Sequence, residues 1–312
     1  MSFKDFSDLI RLPLGFMASI SGLAAGFMII LIENTNYNLI DAIQEYLGQI
    51  IIGLPIPFLI VCGAMALNDY YDYEADLKNN RIDRPLINGT YSRAFALNLA
   101  IIMMVAGAFL TIILYVFWSY RVQFYIFPAV LLFIGIAISY STWLKKYGFL
   151  GNIVVSLSYP AAMMLAMGVV GARSSEAILT LTSFVTMIFF SALGREVLKG
   201  VMDIEGDKSQ GVKTIAVRYG AQKAAFFCTV LFIVAVPFSP IPLILTFYNR
   251  SILASIIYTV SISLTLLLLL YSGITLVQDP SKETGIKGRK RTKLAFWSLV
   301  LGFFVATIIL GI

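Results

Sequence analysis

The sequence has no histidine, only two cysteines, and charged residues at just 13% of its 312 positions. Each shortage excludes something. Without histidine there is no imidazole general base and no His-ligated metal. Cys62 and Cys228 lie in or beside apolar stretches and read as small core residues, with no disulfide framework or thiolate metal site. A soluble domain carries about 25% charged residues, and half that share cannot cover a water-facing surface. No segment between the apolar runs exceeds 26 residues, which leaves no room for a separate soluble domain. Also missing is the alternation of apolar and polar residues that a transmembrane barrel strand needs over about ten positions.

What the chain has is apolar length. Hydrophobic residues make up 59% of it, and a helix crossing the ~30 Å hydrocarbon core needs about 20 of them in a row. Nine runs qualify: Leu12–Leu31, Gln49–Leu67, Ala94–Trp118, Val122–Trp143, Gly151–Val170, Ala177–Leu198, Ala224–Tyr248, Ile252–Val277 and Leu294–Ile312. The expectation is an all-α, polytopic membrane protein with nine transmembrane helices, forming one domain over residues 1–312.

The net charge of +6 is no argument for nucleic acid, because the basic residues follow a membrane pattern. With the N-terminus in the cytoplasm, the inside segments hold twenty of the 23 lysines and arginines; the outside segments hold only Arg121, Arg173 and Arg250. A missed or invented helix would invert every later loop and destroy that split. The C-terminus is therefore expected outside.

Nine of the seventeen acidic residues fall in two short windows: Asp69, Asp72, Glu74, Asp76 and Asp83, then Glu196, Asp203, Glu205 and Asp207. A shift of 131 positions carries Asp72, Glu74, Asp76 and Gly89 onto Asp203, Glu205, Asp207 and Gly220. The shift crosses four helices, an even number, so the chain reads as two parallel pseudo-repeats. Their acidic clusters should face one another at the cytoplasmic side.

Within each window the spacing is helical. Asn68, Asp72 and Asp76 repeat every four residues, as do Asp203 and Asp207, so each set stays on one helix face. Carboxylates stacked about 6 Å apart repel one another unless a cation lies between them. Such hard oxygen ligands suit Mg²⁺, which keeps several waters and is shared with substrate phosphates. Arg81, Arg84, Lys145, Lys199 and Lys213 could meet phosphate oxygens in the same region.

Plainer readings stand beside these. A solvated helix end explains one Asp-x-x-x-Asp, but two in register favour a site. The positive-inside rule accounts equally well for Lys145, Lys146 and Arg11. The cluster Lys287, Arg289, Lys290 and Arg291 reads as an anchor to lipid headgroups. Pro55, Pro57, Pro128, Pro160, Pro237, Pro240 and Pro242 read as helix kinks. Tyr70, Tyr71, Tyr73 and Tyr140 could be interfacial belt residues or could stabilise positive charge. A secondary transporter would also use repeats and acids, but near the bilayer midplane. Here they lie at helix ends.

At these residues the chain resembles the UbiA superfamily of intramembrane prenyltransferases. The resemblance rests on Asn68-Asp-Tyr-Tyr-Asp72-Tyr-Glu-Ala-Asp76 with Asp83-Arg84-Pro85-Leu86 and Gly89, and on Asp203-Ile-Glu-Gly-Asp207-Lys-Ser-Gln-Gly211 with Lys213-Thr214 and Tyr219-Gly220. Tyr140-Ser141 and Lys145 look like a third element. The resemblance implies a bundle of nine helices around a central cavity, capped by the two motif loops. It implies Mg²⁺-dependent transfer of an isoprenyl chain from its diphosphate to a lipophilic acceptor in the bilayer. Asp72, Asp76, Asp203 and Asp207 would be catalytic. With Asn68 they would hold the metal, while Asn68, Arg84, Tyr140, Lys145, Lys199 and Arg11 would contact substrate. The second window is most similar to the branch that makes archaeal ether lipids, where geranylgeranylglyceryl phosphate is the acceptor. An aromatic quinone precursor, such as a hydroxybenzoate or naphthoate, is the alternative.

Overall fold

The computed structural model describes residues 3–78, 81–209 and 211–312, so Gln210 of the second motif lies outside the described residues. These residues form fourteen α-helices and no strand. In chain order they are α1 (Phe3–Ile10), α2 (Leu12–Glu33), α3 (Leu39–Gly53), α4 (Pro55–Lys78), α5 (Arg93–Trp118), α6 (Ile126–Thr142) and α7 (Phe149–Leu157). Then come α8 (Ala161–Val170), α9 (Ser175–Met202), α10 (Ile204–Ser209), α11 (Ile215–Tyr219), α12 (Ala221–Ala235), α13 (Ile252–Gln278) and α14 (Lys282–Leu310).

Among the described residues, eight helical stretches are long and apolar enough to cross a membrane, and α6 adds a shorter apolar helix. They correspond one to one with the nine runs of the sequence. Prolines explain where a run is not one straight helix. Pro55 separates α3 from α4, Pro160 separates α7 from α8, and Pro237, Pro240 and Pro242 break the run after α12 into short irregular turns. At that last break the Tyr258 hydroxyl donates to the Ser239 carbonyl at 2.6 Å, satisfying a backbone group inside the bundle.

Three polar segments are helical where apolar length alone gave loops. α1 tucks Leu9 and Ile10 against Cys62, Leu86, Tyr91 and Ala96. α4 continues past the apolar run through the whole first motif to Lys78. α14 begins twelve residues before its apolar run, at Lys282. Its polar start is held by the Ser281 hydroxyl, which accepts from the Thr284 amide, and by the Glu283–Lys287 pair one turn apart.

The two halves pack alike. α4 and the α5 that follows its motif loop lie against one another, as α9 and α12 do around the second motif. α2 packs on α4, α8 and α14, and α14 in turn packs on α9. Phe184, Phe247, Tyr258 and Phe303 fill the centre of the second half, with the Phe184 and Phe303 rings 4.2 Å apart. An even number of crossings separates α4 from α9, so their C-terminal ends lie at one end of the bundle.

Candidate active site

Helix geometry presents the first motif as expected. Asn68, Asp72 and Asp76 line one face of α4, and the Asn68 amide donates to Asp72 at 2.9 Å. The Lys145 ammonium lies 2.7 Å and 2.9 Å from the two Asp72 oxygens. Arg84 donates to Asp69 at 2.9 Å, and its Nε is 3.8 Å from Asp76. That Nε–H is buried and has no hydrogen-bond acceptor among the described residues.

The second motif departs from a continuous helix. α9 ends at Met202, and Asp203 turns the chain before α10. The Asp207 amide still donates to the Asp203 carbonyl at 2.8 Å, so the two carboxylates remain neighbours. Burial first, and then the charge of Asp203, push the Asp207 carboxyl up to about 6, against the pull of Thr214 and Lys145.

The two windows act on the same cations. Lys145, bonded to Asp72, also acts electrostatically on Asp207. Arg81 is under the influence of Asp76 and Asp203 together. Tyr140 lies in range of both Asp72 and Asp207. Gly148 holds this junction. Its φ of 60° suits glycine, and a Cβ there would stand 1.9 Å from the Lys213 carbonyl oxygen. The turn carrying Lys145 therefore presses directly on Lys213-Thr214 of the second motif. Gly148→Ala is expected to lose about 1–3 kcal/mol from backbone conformation alone and to part the two motifs. Thermal unfolding and transfer assays on the purified variant check it, with both stability and rate falling.

Other sequence candidates are engaged elsewhere. Arg11, in a left-handed backbone conformation between α1 and α2, donates to Asp69 at 3.0 Å. Asp69 is 3% exposed and serves as the shared counterion of Arg11 and Arg84, a role its spacing did not reveal. Lys199 is held by Glu196 at 2.5 Å and 2.7 Å. Of the four tyrosines, Tyr140 is acted on by both Asp72 and Asp207. Tyr70 and Tyr73 stack on Arg93, which also pairs with Glu74 at 3.2 Å, and Tyr71 is exposed. Glu74 and Glu205 both point to solvent.

Sequence reasoning missed the depth of Glu196. It is 5% exposed, accepts from the Tyr159 hydroxyl at 3.0 Å, and balances Arg195 and Lys199 at once. Its only signal was membership of the second window.

Residues 41–300 match the model of the UbiA prenyltransferase family. The chain belongs to the UbiA prenyltransferase family. It is similar to the digeranylgeranylglyceryl phosphate synthase of Archaeoglobus fulgidus, 33% identical over 301 residues, covering 96% of this chain and 94% of that one. The synthase of Methanocaldococcus jannaschii is 28% identical over 305 residues, covering 98% and 96%. Among solved structures, one of a digeranylgeranylglyceryl phosphate synthase superimposes with a TM-score of 0.71 at 24% identity, covering 98% of each chain. A UbiA homologue from Archaeoglobus fulgidus bound to DMAPP and Mg²⁺ gives 0.60 at 17% identity, covering 97% and 99%. These likenesses show the UbiA fold, and the family makes the chain a multi-pass membrane prenyltransferase.

Proposed function

We propose that the chain transfers a geranylgeranyl group from geranylgeranyl diphosphate to the hydroxyl of geranylgeranylglyceryl phosphate, with Mg²⁺ in the joined aspartate windows. The observation that supports this is that the two windows share cations: Lys145 bonds Asp72 and acts on Asp207, and Arg81 is acted on by Asp76 and Asp203. The relatives named above support the acceptor.

The donor set fits the ion. It is all carboxylate and amide oxygen, and no three acids among the described residues form a metal cluster by themselves. Mg²⁺ is usually held by one or two carboxylates with substrate phosphates completing its shell. Asn68, Asp72 and Asp76 would hold one ion, and Asp203 and Asp207 a second. Bound there, the ions neutralise the diphosphate as the allylic C–O bond breaks.

The chain's own groups supply the rest. Arg84 has a buried N–H beside Asp76 without an acceptor among the described residues, suited to a diphosphate oxygen. Lys145 offers a second cation between the windows. Tyr140 presents a ring near the developing allylic charge. The apolar helices then hold the chain and keep water from the reacting carbon. The diphosphate leaves with the electron pair of the C–O bond, the acceptor oxygen bonds to that carbon, and its proton passes to the released diphosphate. No strong general base is needed, in keeping with a sequence free of histidine.

Purified protein with Mg²⁺ and labelled geranylgeranyl diphosphate, offered each acceptor in turn, tests the assignment. Ether product from geranylgeranylglyceryl phosphate supports it. Product from a hydroxybenzoate or naphthoate instead would overturn it.

The charge split further supports an N-terminus and a site on the cytoplasmic side and a C-terminus outside. Ile82, Ser209 and Ile312 are exposed, so each can be replaced by cysteine and probed with a membrane-impermeant maleimide. Ile82→Cys and Ser209→Cys are expected to react only after permeabilisation, and Ile312→Cys in intact cells. The reverse would invert the topology, and a split between positions 82 and 209 would separate the windows.

A further inference from the structure

Most cations at the site end of the bundle have a carboxylate of their own or share one. Arg11 and Arg84 share Asp69, Arg81 pairs with Asp83, Lys145 with Asp72, and Arg195 and Lys199 share Glu196. Arg289 differs. Its guanidinium makes no hydrogen bond or ion pair among the described residues, yet Arg195, Asp203, Arg11 and Arg81 all act on it. It remains exposed, so a ligand can reach it.

Its position is built by packing. A Cβ on Gly285 would fall 2.4 Å from Met202 Cγ, and one on Gly288 would fall 2.9 Å from Leu198 Cδ1. Bare glycines thus bring the first turns of α14 against the last turns of α9, next to Asp203. Arg289 is one turn after Gly285 and lies on the same side. Two of its basic neighbours turn elsewhere. Lys287 pairs with Glu283 in solvent, and Arg291 stacks on Tyr271 and donates to Thr275 at 3.1 Å. The stretch read as a uniform headgroup anchor is divided: Lys287 and Arg291 are engaged on their own helix or on α13, while Arg289 is acted on by Asp203 and Arg195.

We propose that Arg289, backed by Arg195, binds the phosphate monoester of the acceptor and so selects a phosphorylated glycerol lipid over a neutral one. The proposal rests on the acceptor assigned above. Arg195 and Lys199 share one carboxylate and leave one positive charge unbalanced; Arg289 adds another. A phosphate monoester carries about −1.5 to −2 at neutral pH. A guanidinium fork also meets two phosphate oxygens at once, which an ammonium does not. The donor's diphosphate has a separate place, at the aspartates with Arg84 and Lys145.

The test is steady-state kinetics on full-length Arg289→Gln, Arg289→Lys and Lys290→Gln with Mg²⁺, varying each substrate in turn. Losing charge-assisted hydrogen bonds should raise the acceptor KM of Arg289→Gln about 10–150-fold. Its donor KM should stay at the wild-type value, which also shows that the variant folds. Arg289→Lys should fall between, and Lys290→Gln should match wild type. The preference for the phosphorylated acceptor over its dephosphorylated alcohol should shrink in proportion. A raised donor KM would give Arg289 to the diphosphate and overturn the proposal. Unchanged constants with an active wild type would leave Arg289 a headgroup anchor and overturn it too. A wild type that ignores this acceptor would overturn the acceptor assignment itself.

Discussion

Asp72→Ala and Asp203→Ala are each expected to lower prenyl transfer by ~10²–10³ or more while the protein still folds. The reason is electrostatic. Each aspartate sits where a divalent ion and a diphosphate must be held together, and losing one removes both a ligand and a charge. Folding should survive, because Asp72 is only partly buried and Asp203 is exposed at the end of α9. Glu74→Gln and Glu205→Gln are expected to stay near wild type, since both side chains face solvent two residues from their aspartates. Initial rates with saturating Mg²⁺, alongside chromatographic monodispersity, give the comparison. Essential glutamates with dispensable aspartates would contradict the helix-face assignment.

Glu196→Ala is expected to cost more in stability than any of these. Glu196 is buried and receives Tyr159, Arg195 and Lys199. Its removal strands two cations inside the bundle, a loss of about 3–5 kcal/mol in comparable buried pairs. Glu196→Gln keeps an acceptor oxygen for Tyr159 and should recover part of it. Thermal unfolding in detergent separates the two, with Glu196→Ala well below Glu196→Gln. Equal melting temperatures for wild type and Glu196→Ala would show the network to be dispensable.

These two predictions mark where sequence reading reached and where it stopped. Apolar run length is a direct response to bilayer thickness, so the nine runs found their helices. The four-residue repeat of carboxylates is fixed by helix geometry, so Asn68, Asp72 and Asp76 fell on one face as expected. Asp203 was harder: the backbone turns there, and spacing alone reads straight through the turn. Asp69 and Glu196 had the same composition signal as their neighbours. Only packing shows that both are buried counterions. The start of α14 was hidden because charge density argues against a span while saying nothing against a helix. There the deciding contacts are Gly285 and Gly288 on α9, a tertiary fact. Arg289 became separable from Lys287, Lys290 and Arg291 only once that contact was seen.

The central claim is that both aspartate windows act as one Mg²⁺-dependent diphosphate site. Equilibrium binding of a non-ionising geranylgeranyl thiolodiphosphate to the purified protein tests it directly. Binding should require Mg²⁺ and should be lost in Asp72→Ala and in Asp203→Ala alike. Binding that persists without Mg²⁺, or that survives loss of either window, would contradict it.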